Sequence, residues 1–410
     1  MNPPTLVLVE SNTSGTGRLF AQRAREMGVR PVLLAEDPGR YAYAQADGVD
    51  VVRAYTSAPA GVLDAIAALP DGSPAGVTTS SDYFVPVAAS VAAVMGLPGP
   101  EPDAVARCRH KGTQHVTLAA RGVPVAAHAL VTSVDMALNT AERVGLPVVL
   151  KPADGSGSTG VRLCVTREEI AEHASRLLAR THNERGMPTA SGFLVEEYVD
   201  GPEFSVEVFG CTPVAVVAKH LGAAPHFVEI GHDVPAPLPA AQAEALATTG
   251  VMAVKALGLG FGAAHVELRY GINGPVVIEV NPRLAGGMIP ELIRSALSVD
   301  LVRAQVTAAL GRHEDLEPRT AMHSSLRFLV VDRPATLQEP TARLANPALY
   351  VSEEILTGRR DERLVPHHDH RDRVGHVIAT ACTAGEAALA AATGLDRLRT
   401  ALRPVSKAAV

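Results

Sequence analysis

The chain has 410 residues, 47% of them hydrophobic and 20% charged, which at about 150 residues per domain is enough for two or three ordinary cores and fits neither a disordered nor a collagen-like polymer. Lys and Arg number 37 against 43 Asp and Glu, a formal charge of −6, so no basic field exists to draw in nucleic acid or an anionic membrane. Aromatic residues at 4%, with no Trp, leave no stacking platform for carbohydrate or single-stranded nucleic acid.

The N-terminal run Leu6 to Val9 has no Lys or Arg before it and reads as a first strand rather than a secretory signal. Thr5 to Val9, an amphipathic segment from Gly15 to Met27, Pro31 to Leu34, Gly76 to Thr79 and a helix over Val85 to Met95 alternate as parallel β/α winding does. The Thr13 to Phe20 segment misses the dinucleotide fingerprint, because Phe20 stands where the third Gly belongs. It reads as a tight βα turn or as a helix N-terminus facing a substrate carboxylate. The apolar stretch Phe84 to Leu97 is broken by Pro86 and Ser90 and is too short to span a bilayer. Cys108, Cys164, Cys211 and Cys382 lie far apart, without a C-x-x-C pair, and read as reduced core thiols. A cytoplasmic protein without membrane or nucleic-acid partners is the expectation.

Pro98, Pro100 and Pro102 punctuate the end of this first region. A helix carrying Arg107, Arg109 and Lys111 follows, and from Val148 the pattern becomes strand, glycine loop, strand. The loop holds Gly155, Ser156, Gly157, Ser158, Thr159 and Gly160. Its glycine spacing matches a P-loop, but Val161-Arg162 stand where Lys and Ser/Thr are required, so it is a flap whose N–H groups can wrap polyphosphate oxygens. Lys151 enters that flap and can place its ammonium on the same phosphates. A helix over Arg167 to Arg180 and strands at Phe193 to Val199, Glu203 to Phe209, Ser325 to Val331 and Val374 to Ala381 complete the outline.

The strongest signal is His265 to Asn281, two alternating strands around a turn centred on Asn273. In an antiparallel hairpin the numbers of opposed residues sum to a constant, so Glu267 faces Glu279 and His265 faces Asn281. Opposed Cβ atoms stand roughly 4.5–5.5 Å apart and like charges there destabilise the ladder, so a cation belongs between them. Two carboxylates and the Asn281 amide suit a hard ion, Mg²⁺ above all and Mn²⁺ as its substitute. The competing reading leaves both Glu on a solvated face, with Val266, Leu268, Ile278 and Val280 as the apolar stripe. Arg283 next projects beside the metal, where a guanidinium can grip a phosphoryl or carboxylate group, and Gly286 and Gly287 permit close backbone approach at a helix start.

Together the strand and flap at Val148 to Gly160, the segment Val195 to Ser205 and the Glu267…Glu279-Val280-Asn281-Pro282-Arg283 hairpin resemble the ATP-grasp superfamily. The resemblance implies an α/β and α+β multidomain chain: an N-terminal Rossmann-like pre-ATP-grasp domain over 1–105, an ATP-grasp core over 106–312 with its flap-bearing lobe near 123–196, and a C-terminal subdomain over 313–410. It implies ATP and Mg²⁺ as cofactors, with Lys111, Lys151 and the flap on the phosphates. Glu196 then accepts from the adenine amino group, Val199 meets the ring with its backbone beside Glu197, Glu203 binds ribose, and Glu267, Glu279 and Asn281 hold the metal. Arg283, with Lys151, stabilises the transferring group. The implied chemistry is ADP-forming activation of a carboxylate as an acyl phosphate, followed by attack of an amine.

The continuation Leu284 to Leu292 resembles the L-amino-acid ligases, which make dipeptides, and so implies small carboxylate and amine substrates and a homodimer. Biotin-carboxylase-like or purine-pathway ligases are the alternative, and a non-catalytic ATP sensor is the alternative of another class. The segment His226 to Pro235 resembles the acceptor-side loop; there Glu229 or Asp233 can receive an ammonium and His226 or His232 a proton. His367-His368-Asp369-His370 is rejected as a metal site, because Arg359, Arg360, Arg363, Arg371 and Arg373 surround it.

Overall fold

The computed structural model describes residues 3–13, 15–70, 72–183, 185–338 and 350–405; Ser14 of the N-terminal turn and parts of the expected C-terminal subdomain lie outside them. Apolar strands alternate with helices at the start, as their sequence periods require: β1 (Thr5–Val9), α1 (Thr16–Glu26), β2 (Arg30–Ala35), α2 (Ala42–Ala46), β3 (Asp50–Arg53), α3 (Pro59–Ala67), β4 (Gly76–Thr78) and α4 (Val85–Val94). The strands form one parallel sheet in the order β3-β2-β1-β4. Helix α1 buries Phe20, Ala21 and Ala24 on one face and places Arg23 and Arg25 in its last turn, where the dipole favours cations.

Two helices, α5 (Pro102–Arg109) and α6 (Lys111–Ala120), lead to a small antiparallel sheet. Its elements are β5 (His128–Val131), α7 (Val134–Val144), β6 (Val148–Pro152), β7 (Arg162–Cys164), α8 (Arg167–Leu178) and β8 (Phe193–Glu197), with strand order β5-β8-β6-β7. The flap connects β6 to β7. Ser133 and Thr166 cap α7 and α8 by accepting from the N–H three residues on.

The remaining chain builds β9 (Glu203–Phe209), β10 (Thr212–Leu221), β11 (Glu229–Val234), α9 (Ala240–Ala256), β12 (Ala263–Gly271), β13 (Gly274–Asn281), α10 (Ile289–Leu297), α11 (Leu301–Ala309), β14 (His323–Val330), β15 (Ala335–Leu337), β16 (Val351–Leu356), β17 (Arg363–Leu364), β18 (Arg373–Ala381), α12 (Ala384–Arg399) and β19 (Leu402–Pro404). Eight of these strands form one sheet, β13-β12-β9-β10-β11-β14-β18-β16, and β17-β15-β19 form a small one. One face of the large sheet packs on α9 through Val206, Val266, Leu268, Val277, Leu246 and Val254, all buried. Three expectations need correction. Residues 229–234 form a strand in the middle of the sheet, not a loop. Cys211 and Cys382 are exposed, and only Cys108 and Cys164 lie in the interior. The turn of the β12–β13 hairpin is the two-residue Ile272-Asn273 between paired Gly271 and Gly274, so its centre lies half a residue before Asn273.

Candidate active site

Glu267 does pair with Glu279, and His265 with Asn281, although the strict alternation behind that expectation fails. Leu268 pairs with Val277, so Ile278 is an extra residue, a β-bulge. Val277 rather than Ile278 enters the core, and Ile278 joins the carboxylates in lining a cleft between the two antiparallel sheets. The half-residue error at the turn and the unforeseen bulge cancel. The cleft encloses about 870 Å³ of empty volume, including its open mouth. Of the expected residues, Lys111, Lys151, Gly155 to Thr159, Glu196, Glu197, Val199, Glu203, Glu229, Glu267, Glu279, Asn281 and Arg283 all line it.

Each of the opposed carboxylates meets a lysine. Lys111 Nζ lies 3.1 Å from Glu279 Oε1 and donates to the Gly155 carbonyl at 3.0 Å. Contrary to the expectation from the sequence, Arg107 and Arg109 are not on its helix but on the preceding α5, because the chain turns at His110, the cap of α6; Arg107 donates to the Leu257 carbonyl and Arg109 pairs with Asp82. Glu267 meets Lys219, which sequence reasoning missed; its Nζ contacts Glu203, Glu229 and Glu267 at 2.9, 2.9 and 3.0 Å. Burial opposes a charge on Lys219, but the three carboxylates more than reverse that and hold its pKa well above the usual lysine value. Burial likewise raises the Glu267 carboxyl, and Lys219 followed by His265 drives it well below the usual range. His265 bridges Glu207 at 2.7 Å and Glu267 at 3.1 Å; those carboxylates overcome burial and lift it to about 9, so it is an imidazolium.

Lys151 lies at the other wall. Its Nζ donates to the Ile278 carbonyl, exposed by the bulge, at 3.0 Å and pairs with Glu196 at 2.8 Å. Burial raises the Glu196 carboxyl, but Lys151 and His115 bring it down to about 2. His115, one helical turn after Lys111, approaches the Lys111 carbonyl with Nδ1 at 3.0 Å and Glu196 Oε1 with Nε2 at 3.0 Å. The second approach is not an aligned hydrogen bond, so Glu196 Oε1 and His115 Nε2 stay unsatisfied. Burial, the largest influence, lowers His115 below its ordinary value. A neutral ring that donates through Nδ1 would turn its Nε2 lone pair on the carboxylate.

Arg283 is held from three sides. Its Nε lies 3.3 Å from Asp82, its Nη1 donates to the Leu284 carbonyl at 2.8 Å, and its Nη2 donates to the flap's Ser156 at 3.4 Å. Asp82 follows β4, so the parallel sheet reaches into the site. Burial raises the Asp82 carboxyl, and Arg109, Arg283 and Lys111 bring it to about 2.

Residues 144–291 match the ATP-grasp domain family. The uncharacterized protein y4rH of Sinorhizobium fredii is 36% identical over 378 residues, 92% of this chain and 78% of that protein. The chain belongs to the ATP-grasp family. Carnosine synthase 1 of Gallus gallus is 29% identical over 253 residues, 57% of this chain and 27% of the synthase, so the chain spans about a quarter of that relative. The crystal structure of an L-amino acid ligase from Bacillus licheniformis superposes over 99% of this chain and all of its own with a TM-score of 0.79 at 19% identity, a likeness of fold.

In this ATP-grasp cleft one end is aromatic, lined by Tyr198 and Phe227. Arg269 stacks against Tyr198 and Phe227, with 5.0 and 5.3 Å to the ring centroids, donates to the Val199 carbonyl at 3.1 Å and pairs with Glu203 at 3.2 Å. Arg269, Tyr198 and Phe227 escaped the sequence reading; the first reads only as an alternating strand residue. Glu229 turns into the cleft because β11 also carries a bulge, at Ile230: His220 pairs with Gly231 but Leu221 with Glu229. His232 is fully buried, 3.4 Å from Glu229, and both its nitrogens lack a hydrogen bond. Gly287 packs so tightly that a Cβ there would meet His232 Nε2 at 2.7 Å, whereas one at Gly286 meets nothing. His226 lies apart from these residues, its ring stacked on His368. Gly160 closes the flap behind the cleft, where its carbonyl accepts from His173. Asp233 is taken by Arg327, His220 and Ser325.

Among the described residues no cluster of three or more His, Cys, Asp or Glu forms a metal cage. The two opposed carboxylates with the buried Asn281 amide are instead the sparse oxygen set that Mg²⁺ prefers when phosphates supply the rest. No helix among the described residues is long and apolar enough to cross a membrane.

Proposed function

We propose that the protein is an ADP-forming carboxylate–amine ligase that uses Mg²⁺-ATP to join two small substrates, amino acids in the first instance, through an amide bond. The observation that carries the reading is the convergence on one cleft of the Glu267–Glu279 pair with Asn281 and Arg283 from one sheet, and of Lys151 and the glycine flap from the other. The aromatic end beside Val199 and Glu203 suits the purine and ribose, and Glu196, which also lines the cleft, is a carboxylate that can accept from an exocyclic amine. Glu267, Glu279 and Asn281 would hold Mg²⁺, which supplies charge neutralisation on the phosphates when bound.

The substrate carboxylate attacks the γ-phosphorus, the phosphoryl group moves to it and ADP leaves; the amine then attacks the acyl carbon and phosphate departs. Lys111 and Lys151 leave their carboxylate partners to neutralise the phosphates, and Arg283, fixed by Asp82, orients the acyl end. The flap excludes water, which otherwise hydrolyses the acyl phosphate. His232 abuts Gly287, and Glu229, 3.4 Å from His232, is held by Lys219 and Arg373, from which an amine substrate would have to draw it. Glu267, Glu279, Asn281 and Arg283 are all present in the cleft, which argues against a non-catalytic sensor. A screen of amino-acid pairs for phosphate release, with product mass detection, tests the reading: ADP formation only with both an acid and an amine supports it. Turnover driven by bicarbonate would assign a carboxylase instead, and no turnover with any pair despite ATP binding would assign a sensor.

A further inference from the structure

The histidine-rich loop 367–370, unsuited to a metal, has a different position in the structure: it sits on the tip of the glycine flap. The His370 backbone N–H and its Nδ1 both reach the Gly157 carbonyl, at 3.2 and 3.3 Å, and Thr159 Oγ1 donates to Asp369 at 3.4 Å. A Cβ at Gly157 would lie 2.4 Å from His370 Nδ1, and Gly157 has φ +65°, so the contact requires glycine on both steric and backbone grounds.

The loop is itself braced. Asp369 is buried and clamped by the Arg371 guanidinium at 2.6 Å, and Asp372 accepts from the backbone N–H groups of His367 and His368 at 2.7 Å each. From below, His226 stacks on His368 with centroids 4.2 Å apart and planes 8° from parallel. A rigid part of the C-terminal region thus fastens a glycine loop more than 200 residues away in sequence, at the end that Lys111 and Arg283 do not reach.

We propose that Asp369 and His370 are positioning residues that hold the flap down over the nucleotide phosphates; this rests on the flap's role in the function proposed above. The fastening limits both nucleotide escape and water entry, so loosening it weakens nucleotide binding and lets phosphate be released without amide.

The test measures the affinity of the full chain for Mg²⁺ with a non-hydrolysable ATP analogue, together with hydrogen exchange of the amides at 155–160. His370→Ala removes one of the two donors to Gly157, and an affinity loss of roughly threefold to tenfold is expected with faster flap exchange and an unchanged melting temperature. His370→Asn, whose amide can donate to the same carbonyl, restores most of the affinity, which a merely structural role would not produce. Asp369→Asn weakens binding in the same direction. If that change unfolds the loop, His226→Ala, which removes only the stacked support, supplies the reading with a smaller loss. Unchanged affinity and exchange in His370→Ala and His226→Ala overturn the proposal while leaving the ligase reading intact; failure of the wild-type chain to bind the analogue overturns the ligase reading itself.

Discussion

Replacing Lys219 with methionine removes the one ammonium shared by Glu203, Glu229 and Glu267, in a place where its side chain is 1% exposed. Methionine fills the same space, so the loss is electrostatic. Removing one partner of a buried ion cluster typically costs about 3–5 kcal/mol, while Arg269, Arg373 and the His265 imidazolium still face Glu203, Glu229 and Glu267. The pH dependence gives the sign. In the wild-type chain Glu229 and Glu267 sit below the usual value of 4.5, so the unfolded chain binds more protons. Their stabilisation is present above that value and is lost as pH falls through the folded pKa values. In Lys219→Met each carboxylate keeps a second cation, Arg269 for Glu203, Arg373 for Glu229 and the His265 imidazolium for Glu267, so Glu229 and Glu267 move back toward the ordinary carboxylate value and the acid-side dependence of stability weakens. Urea midpoints in EDTA between pH 4 and 6, below the range in which His265 loses its proton, should therefore rise with pH in both proteins, less steeply in the variant. Added Mg²⁺ should stabilise the variant more than the wild type, because a cation bound only to the folded state shifts stability by mass action. Parallel slopes, or a midpoint unchanged at pH 7, would refute the reasoning.

Asp82→Asn frees Arg283 and leaves Arg109 without its partner; turnover should fall roughly 10- to 100-fold, as misplaced reacting groups do, while analogue affinity measured by calorimetry changes less than about threefold. Glu279→Gln should raise the Mg²⁺ concentration for half-maximal activity by at least the roughly 10- to 100-fold that loss of an outer-sphere partner costs, read from a metal titration of phosphate release. Gly287→Ala must bear a φ of +57° and the 2.7 Å approach to His232, and should lose about 1–2 kcal/mol for the backbone alone. Gly286→Ala, with open space around it, should stay within about 0.5 kcal/mol of wild type in the same urea titration.

Much of this arrangement is legible in the chain because its signals are local. Period-two and period-3.6 patterns place β1, α1, β9 and the flap strands within a few residues, and the hairpin aligns its own carboxylates. What escaped is non-local. Lys219, at the end of the otherwise apolar run from Val214 to Ala218, gains meaning only when β9, β11 and β12 bring their glutamates to it. Asp82 looks like an ordinary turn residue until the parallel sheet docks beside Arg283. Strand β11 hides because Glu229, His232 and Asp233 are polar on both faces and a bulge interrupts their alternation. His370 escaped because a cluster of basic neighbours argues only against a cation, not for a neighbouring loop.

The additional residue in β13 has an unexpected implication for how the hairpin would tolerate shortening. Without Ile278, Val277 would still oppose Leu268, and Glu279 would still oppose Glu267, on the sides of the sheet they now occupy. An excision there would spare the acidic pair and the hydrophobic layer alike; what would vanish is the peptide oxygen that receives Lys151. The kink therefore serves the lysine across the cleft, and a one-codon deletion would separate the metal role proposed for this ribbon from its service to the opposite wall.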